Sequence, residues 1–142
     1  MNYLFLLVSL FFALETLGQS NQTSLQVSIS GASSDTGSIR ILVFSKPSGF
    51  PDQVKQAVRS ISLPSKSGKA NFKLTDLPAG TYAIGVIHDK DNNGKLSTNA
   101  VGYPIEKFGF SNNPKVYFGP PSFEKAAFVL GKTAVSLEIN LR

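Results

Sequence analysis

The stretch Leu74-Thr75-Asp76-Leu77-Pro78-Ala79-Gly80-Thr81-Tyr82-Ala83-Ile84-Gly85-Val86-Ile87-His88-Asp89 decides the fold class. A turn signal built on Asp76, Pro78 and Gly80 opens into Tyr82, Ile84 and Val86, which alternate with Ala83, Gly85 and Ile87. Side chains of a strand point to two faces in turn, so a run that is apolar at every position must be covered on both sides. A central strand of a layered β-protein meets that demand.

The flanking sequence supplies its neighbours. Leu25, Val27 and Ile29 alternate with Gln26, Ser28 and Ser30, and the turn-forming run from Gly31 to Gly37 predicts a hairpin into Ile39, Ile41 and Val43. Leu42 and Phe44 make this second strand apolar on both faces near its end, as for an internal strand. Ile61 and Leu63 mark a short strand. Ala70, Phe72 and Leu74 alternate with Lys69, Asn71 and Lys73, and Val135, Leu137, Ile139 and Leu141 alternate with Ser136, Glu138 and Asn140. Pro51 to Val58 predicts one short helix, with proline in the first turn and Val54, Ala57 and Val58 at helical spacing. Roughly five to seven short strands with Gly/Pro/Ser turns predict a mostly β fold, a single antiparallel β-sandwich of immunoglobulin-like or transthyretin-like type. Between the central and last strands, Asp89 to Gly131 is too long for an empty connection. Its aromatic residues (Tyr103, Phe108, Phe110, Tyr117, Phe118, Phe123, Phe128) are enough for a satellite core, and Phe123 to Leu130 is read as a strand.

With 142 residues the chain has room for one domain. The apolar run Leu4 to Leu14 is too short to span a bilayer as a helix and ends near Gly18 in small residues, so residues 1–18 read as a signal peptide cut near Gly18 or Ser20. The weak positive charge ahead of the run leaves an uncleaved anchor as the alternative. Residues 19–142 form the single sandwich domain, exported to the periplasm, cell surface or medium, with no transmembrane span of its own. Cysteine is absent, which excludes disulfides, thiolate metal sites and lipoprotein acylation. The net charge of +5 comes from lysines scattered along the chain, without the clustered stripe that nucleic-acid binding requires.

One loop offers chemistry. Asp89-Lys90-Asp91-Asn92-Asn93-Gly94-Lys95-Leu96-Ser97 places oxygen-bearing side chains at alternate positions before a glycine, like the first half of a calcium loop. Asp89, Asp91, Asn93, the Lys95 carbonyl and Ser97 are the candidate ligands for Ca2+. Ala100 stands where a bidentate glutamate would close such a loop, so closure requires a distant carboxylate, of which Glu106 is nearest. Lys90 and Lys95 oppose a cation, and a plain Asx-type turn is the competing reading.

His88, the only histidine, shares strand parity with Ile84 and Val86 and is expected to be structural. A hydrolase or isomerase using His88, Asp89 and Glu106 is the alternative, with Ser97 or Ser111 the conceivable nucleophiles. Gly102 to Pro114 is either a glycan- or peptide-binding ledge or a segment that Tyr103, Phe108 and Phe110 pin to the sandwich.

Leu74 to Leu96, with Gly102-Tyr103-Pro104-Ile105-Glu106 and Gly109-Phe110-Ser111-Asn112-Asn113, resembles the domain-of-unknown-function 2141 family. The resemblance runs from about Leu25 to Leu141 and implies a short exported bacterial protein without an assigned activity. That family commonly has an aspartate where this chain has Ser97, which weakens the ion set. Leu77 to Tyr82 is also similar to the segment leading into a central strand of transthyretin-like and carboxypeptidase-regulatory-like sandwiches. The expectation is a non-enzymatic binding or accessory module, with an envelope protein or glycan as partner.

Overall fold

Each segment with alternating apolar residues is a strand in the computed structural model, which describes residues 23–142. The expected leader, residues 1–18, lies outside the described residues. The strands are β1 (Leu25–Ser30), β2 (Ser38–Phe44), β3 (Arg59–Leu63), β4 (Lys69–Leu74), β5 (Gly80–Asp89), β6 (Phe108–Phe110), β7 (Phe128–Leu130) and β8 (Val135–Asn140), with one short helix, α1 (Phe123–Ala126). One sheet has the order β4-β1-β8 and the other β3-β2-β5-β6, with β7 also paired to β5. Leu25, Val27, Ile29 and Ile139 from the first sheet meet Ile39, Ile41, Val43, Ile84 and Val86 from the second in a buried core. The mostly β sandwich holds.

Four local expectations differ. β1 and β2 are not a hairpin: both edges of β1 are taken by β4 and β8, and both edges of β2 by β3 and β5, so the Gly31–Gly37 link crosses between sheets. The pairing of β1 with β8 is parallel, an exception in an otherwise antiparallel fold. The helix expected over Pro51–Val58 reduces to a 3-10 turn, Val54–Gln56, that buries no side chain. Its segment is anchored by the flanking Phe50 and Ala57 instead. The α-helical turn is α1, inside the stretch read as strand, because Phe123 and Ala126 bury one helical face before β7 resumes extended pairing.

A second apolar cluster covers the outer face of the larger sheet: Phe44, Ala83, Phe110, Phe123 and Ala126, with Phe50 packed edge-on against Phe44 and Phe123. Gly85 lies beneath this layer. A Cβ there would stand 2.8 Å from the Pro51 carbonyl oxygen, so only glycine lets the loop pass over β5.

Ser111 seals the strand's other edge. β7 pairs with Gly80–Tyr82 and β6 with Gly85–Ile87, leaving Ala83 and Ile84 between them. The buried Ser111 fills that gap: its N–H donates to the Ile84 carbonyl (3.0 Å), and its hydroxyl accepts the Ile84 N–H (2.9 Å) and donates to the Ala126 carbonyl (2.5 Å). The next residues seal β8. The Asn113 amide donates to the Glu138 carbonyl (2.8 Å) and accepts the Asn140 N–H (2.8 Å), imitating a neighbouring strand. Beyond it, Arg142 and Phe108 exchange backbone hydrogen bonds that join the two sheets. At the start of β5, the Tyr82 hydroxyl donates to the Pro78 carbonyl (2.7 Å), an arrangement resembling the tyrosine corner of immunoglobulin-like sandwiches.

Asp35 clasps the inter-sheet link to the turn after β3. It accepts the backbone N–H groups of Ser67 (3.0 Å) and Gly68 (3.1 Å), which hold its carboxyl below the ordinary 3.8. A carboxylate with a lowered folded pKa stabilises fully above its unfolded value and ceases to do so as pH falls through the folded one. Asp35→Asn should therefore lower the thermal midpoint at neutral pH, with the deficit relative to wild type closing only below about pH 3.8. Gly85→Ala should cost about 1–3 kcal/mol, read as a lower urea midpoint at unchanged slope.

Candidate metal centre at the end of strand β5

β5 ends in two consecutive ionisable residues, and strand alternation sends them to opposite faces. His88 turns inward and is fully buried. Its Nδ1 accepts the Ser33 N–H (3.2 Å) and its Nε2 faces the Thr36 carbonyl (2.8 Å), which assigns the neutral Nε2–H tautomer. The Ser33 hydroxyl also lies 3.2 Å from Nδ1, so both ring nitrogens face the inter-sheet link.

Asp89 turns outward, yet it too is fully buried. Its Oδ1 accepts the Asn93 N–H (3.0 Å), and its Oδ2 accepts the Gly94 N–H (2.8 Å) and lies 3.8 Å from Nε of Arg40. Positive φ angles at Asn92 and Gly94 let the chain curl tightly enough for those amides to aim back at the strand end. Asp91 joins from within the curl: Oδ1 accepts the Asn93 N–H (3.2 Å), while Oδ2 accepts the Asn93 side-chain amide (2.9 Å) and the Ser97 hydroxyl (3.4 Å). Glu106, 8% exposed, returns from the far end of the excursion. Its Oε1 accepts the Lys90 N–H (2.8 Å) and its Oε2 the Ser97 N–H (2.9 Å), clamping both ends of the loop.

Carboxylate oxygens of Asp89, Asp91 and Glu106 all lie within 4.8 Å of one another. Ligand oxygens on Ca2+ stand about 2.3–2.6 Å from the ion, so two on one ion can be about 5 Å apart at most. The cluster is of that size. Its donors are hard oxygens, which suit Ca2+ and not the softer metals that nitrogen and sulfur ligands select. The other groups facing these carboxylates are the Arg40 guanidinium at 3.8 Å, the Asn93 side-chain amide, the Ser97 hydroxyl and a set of backbone amides.

The structure brings Asp89, Asp91 and Ser97 together, with Glu106 as the distant carboxylate. Asn93 differs from the expected ligand pose: its Oδ1 accepts the Lys95 N–H (2.9 Å), and its amide nitrogen faces Asp91 and Ser97. Arg40 was missed in the sequence, although its outward parity on β2 beside the end of β5 was a usable signal. His88 does not converge with Asp89 and Glu106, because it lies on the other face of the sheet. Neither conceivable nucleophile stands by it: the Ser111 hydroxyl is spent on Ile84 and Ala126, and that of Ser97 lies among the carboxylates. In the aromatic segment, Phe108 and Phe110 pack as expected, but Tyr103 is 71% exposed and pins nothing. Asn99 orders that loop instead, accepting the Val101 and Tyr103 N–H groups.

Residues 27–138 match the model of the family described as "Uncharacterized protein conserved in bacteria (DUF2141)", and the chain belongs to that family. No curated protein and no solved structure matches it. Among the described residues no helix is long and apolar enough to cross a membrane.

Glu106→Ala would strip the partners from the Lys90 and Ser97 amides. It should cost about 1–3 kcal/mol and speed hydrogen exchange at those two amides, while Ile84 and Val86 in β5 keep their relative protection.

Proposed function

We propose that this member of an uncharacterised bacterial family is an exported, non-enzymatic binding or accessory module whose Asp89–Ser97 loop, closed by Glu106, takes up Ca2+. One observation carries the reading: carboxylates from two separated segments converge within 4.8 Å at a buried strand end. Like charges so close repel, and a divalent cation removes the repulsion while keeping the loop's fold. Asp89, Asp91 and Glu106 would supply charged ligands, with the Lys95 carbonyl, Ser97 and a rotated Asn93 amide completing the set. The apolar run Leu4 to Leu14 and the lack of cysteine support export. An envelope protein or glycan is the class of partner such a module would hold. The hydrolase or isomerase reading is less well supported, since His88 bonds Ser33 and Thr36 on the far side of β5 from Asp89 and so does not converge with Asp89 and Glu106.

A ligand that binds the folded state alone stabilises it by about 2.7 kcal/mol at 100 times its dissociation constant. Millimolar Ca2+ should therefore raise the thermal midpoint of residues 19–142 by about 5–10 °C over that in chelator. Asp91→Asn, at an exposed position, should abolish the rise while leaving the midpoint in chelator nearly unchanged. An unchanged wild-type midpoint in millimolar Ca2+ would return the loop to ordinary turn chemistry.

A further inference from the structure

The segment after β6 carries a feature that neither the core nor the calcium loop uses. Val116 packs inward on the second apolar cluster, whereas the next two residues turn to solvent, with Tyr117 76% and Phe118 99% exposed. Gly119, with φ +70°, and Pro120-Pro121 form a stiff turn behind them.

Two cations adjoin them. Lys115 and Lys125 flank the groove at the foot of the two rings. Arg142 donates to the Pro114 carbonyl (2.8 Å) next to Lys115, and it shares a second groove with Lys107 and Tyr103. From Lys107 to Lys125 the sequence holds one acid, Glu124, against three lysines.

We propose that this tip docks on an anionic lipid bilayer, with Phe118 and Tyr117 entering the headgroup–acyl boundary and Lys115 and Lys125 meeting the headgroups. Apolar tips beside cations match a surface that is anionic at its rim and hydrocarbon just below. A sugar ring would cover one face of an aromatic, whereas Phe118 is 99% exposed on all sides, and immersion in hydrocarbon covers it entirely while the lysines meet the headgroups. The proposal is independent of the calcium loop.

The chain has no tryptophan, so Phe118→Trp installs a sole reporter at the tip without removing its aromatic character. The full-length variant is mixed, in chelator, with vesicles of phosphatidylcholine alone or with about one-third phosphatidylglycerol. The expected result is a blue-shifted emission, quenched by brominated acyl chains, with the anionic vesicles only. Adding Lys115→Gln and Lys125→Gln should weaken that binding on the order of tenfold or more. Because the readout is local to position 118, attachment through the apolar run Leu4 to Leu14 cannot imitate it. The proposal is overturned if anionic vesicles give no shift, or if the shift survives both lysine replacements undiminished. A shift given by a sulfated polysaccharide and not by vesicles would also overturn it, and would assign the tip to an anionic glycan.

Discussion

A ten-residue strand buried along nearly its whole length needs every backbone N–H and C=O paired and both faces covered, and β5 meets this with unlike parts. One edge is a continuous ladder with β2 from Ala83 to Asp89. The other is pieced together from β7, the Ser111 side chain and β6. The inner face takes the sandwich core, and the outer face takes a layer of loops held by aromatic contacts. The long excursion between β5 and β8 is therefore part of the domain's construction, since it returns three times to close what β5 leaves open. The placing of the candidate site follows from the same strand, because its last two residues divide between the faces. His88 holds the inter-sheet link, and Asp89 organises the loop beyond.

Much of this was legible because period-2 alternation is a local signal, and it marked the strands from Leu25 to Leu74, β5 itself and the final strand. Pairing is not local. Nothing in Leu25 to Phe44 distinguishes a hairpin from a link between sheets, since both begin with an alternating strand and a glycine-bounded turn. Only the presence of β8, more than a hundred residues away, leaves β2 free to pair elsewhere. The helical spacing at Val54, Ala57 and Val58 misled for a related reason: Val54 is exposed while Ala57 and Val58 pack on two different apolar clusters, so the three share no buried helical face, whereas Phe123 and Ala126 do.

In the candidate site, the ligand types could be read from Asp89, Asp91 and Gly94, and the need for a remote carboxylate from Ala100. What could not be read was the use of Glu106 as a clamp on backbone amides, nor the pose of Asn93, because hydrogen-bond direction depends on how the loop curls. The role of the Asn112-Asn113 pair could not be read either. Its left-handed backbone is that of a turn, but the amide of Asn113 serves as a substitute strand for the edge of β8.

The parallel register of β1 with β8 sets Leu25 beside Val135 and Ile29 beside Ile139, so the first and last strands of the domain are neighbours. Contacts between sequence-distant segments are slow to form, because a long loop must close before they are made. During synthesis the β4-β1 pair can assemble early, but its sheet stays open until the final residues emerge. The three-stranded sheet β4-β1-β8 therefore cannot close until β8 has been synthesised, so its last edge is the last part of the sandwich to form.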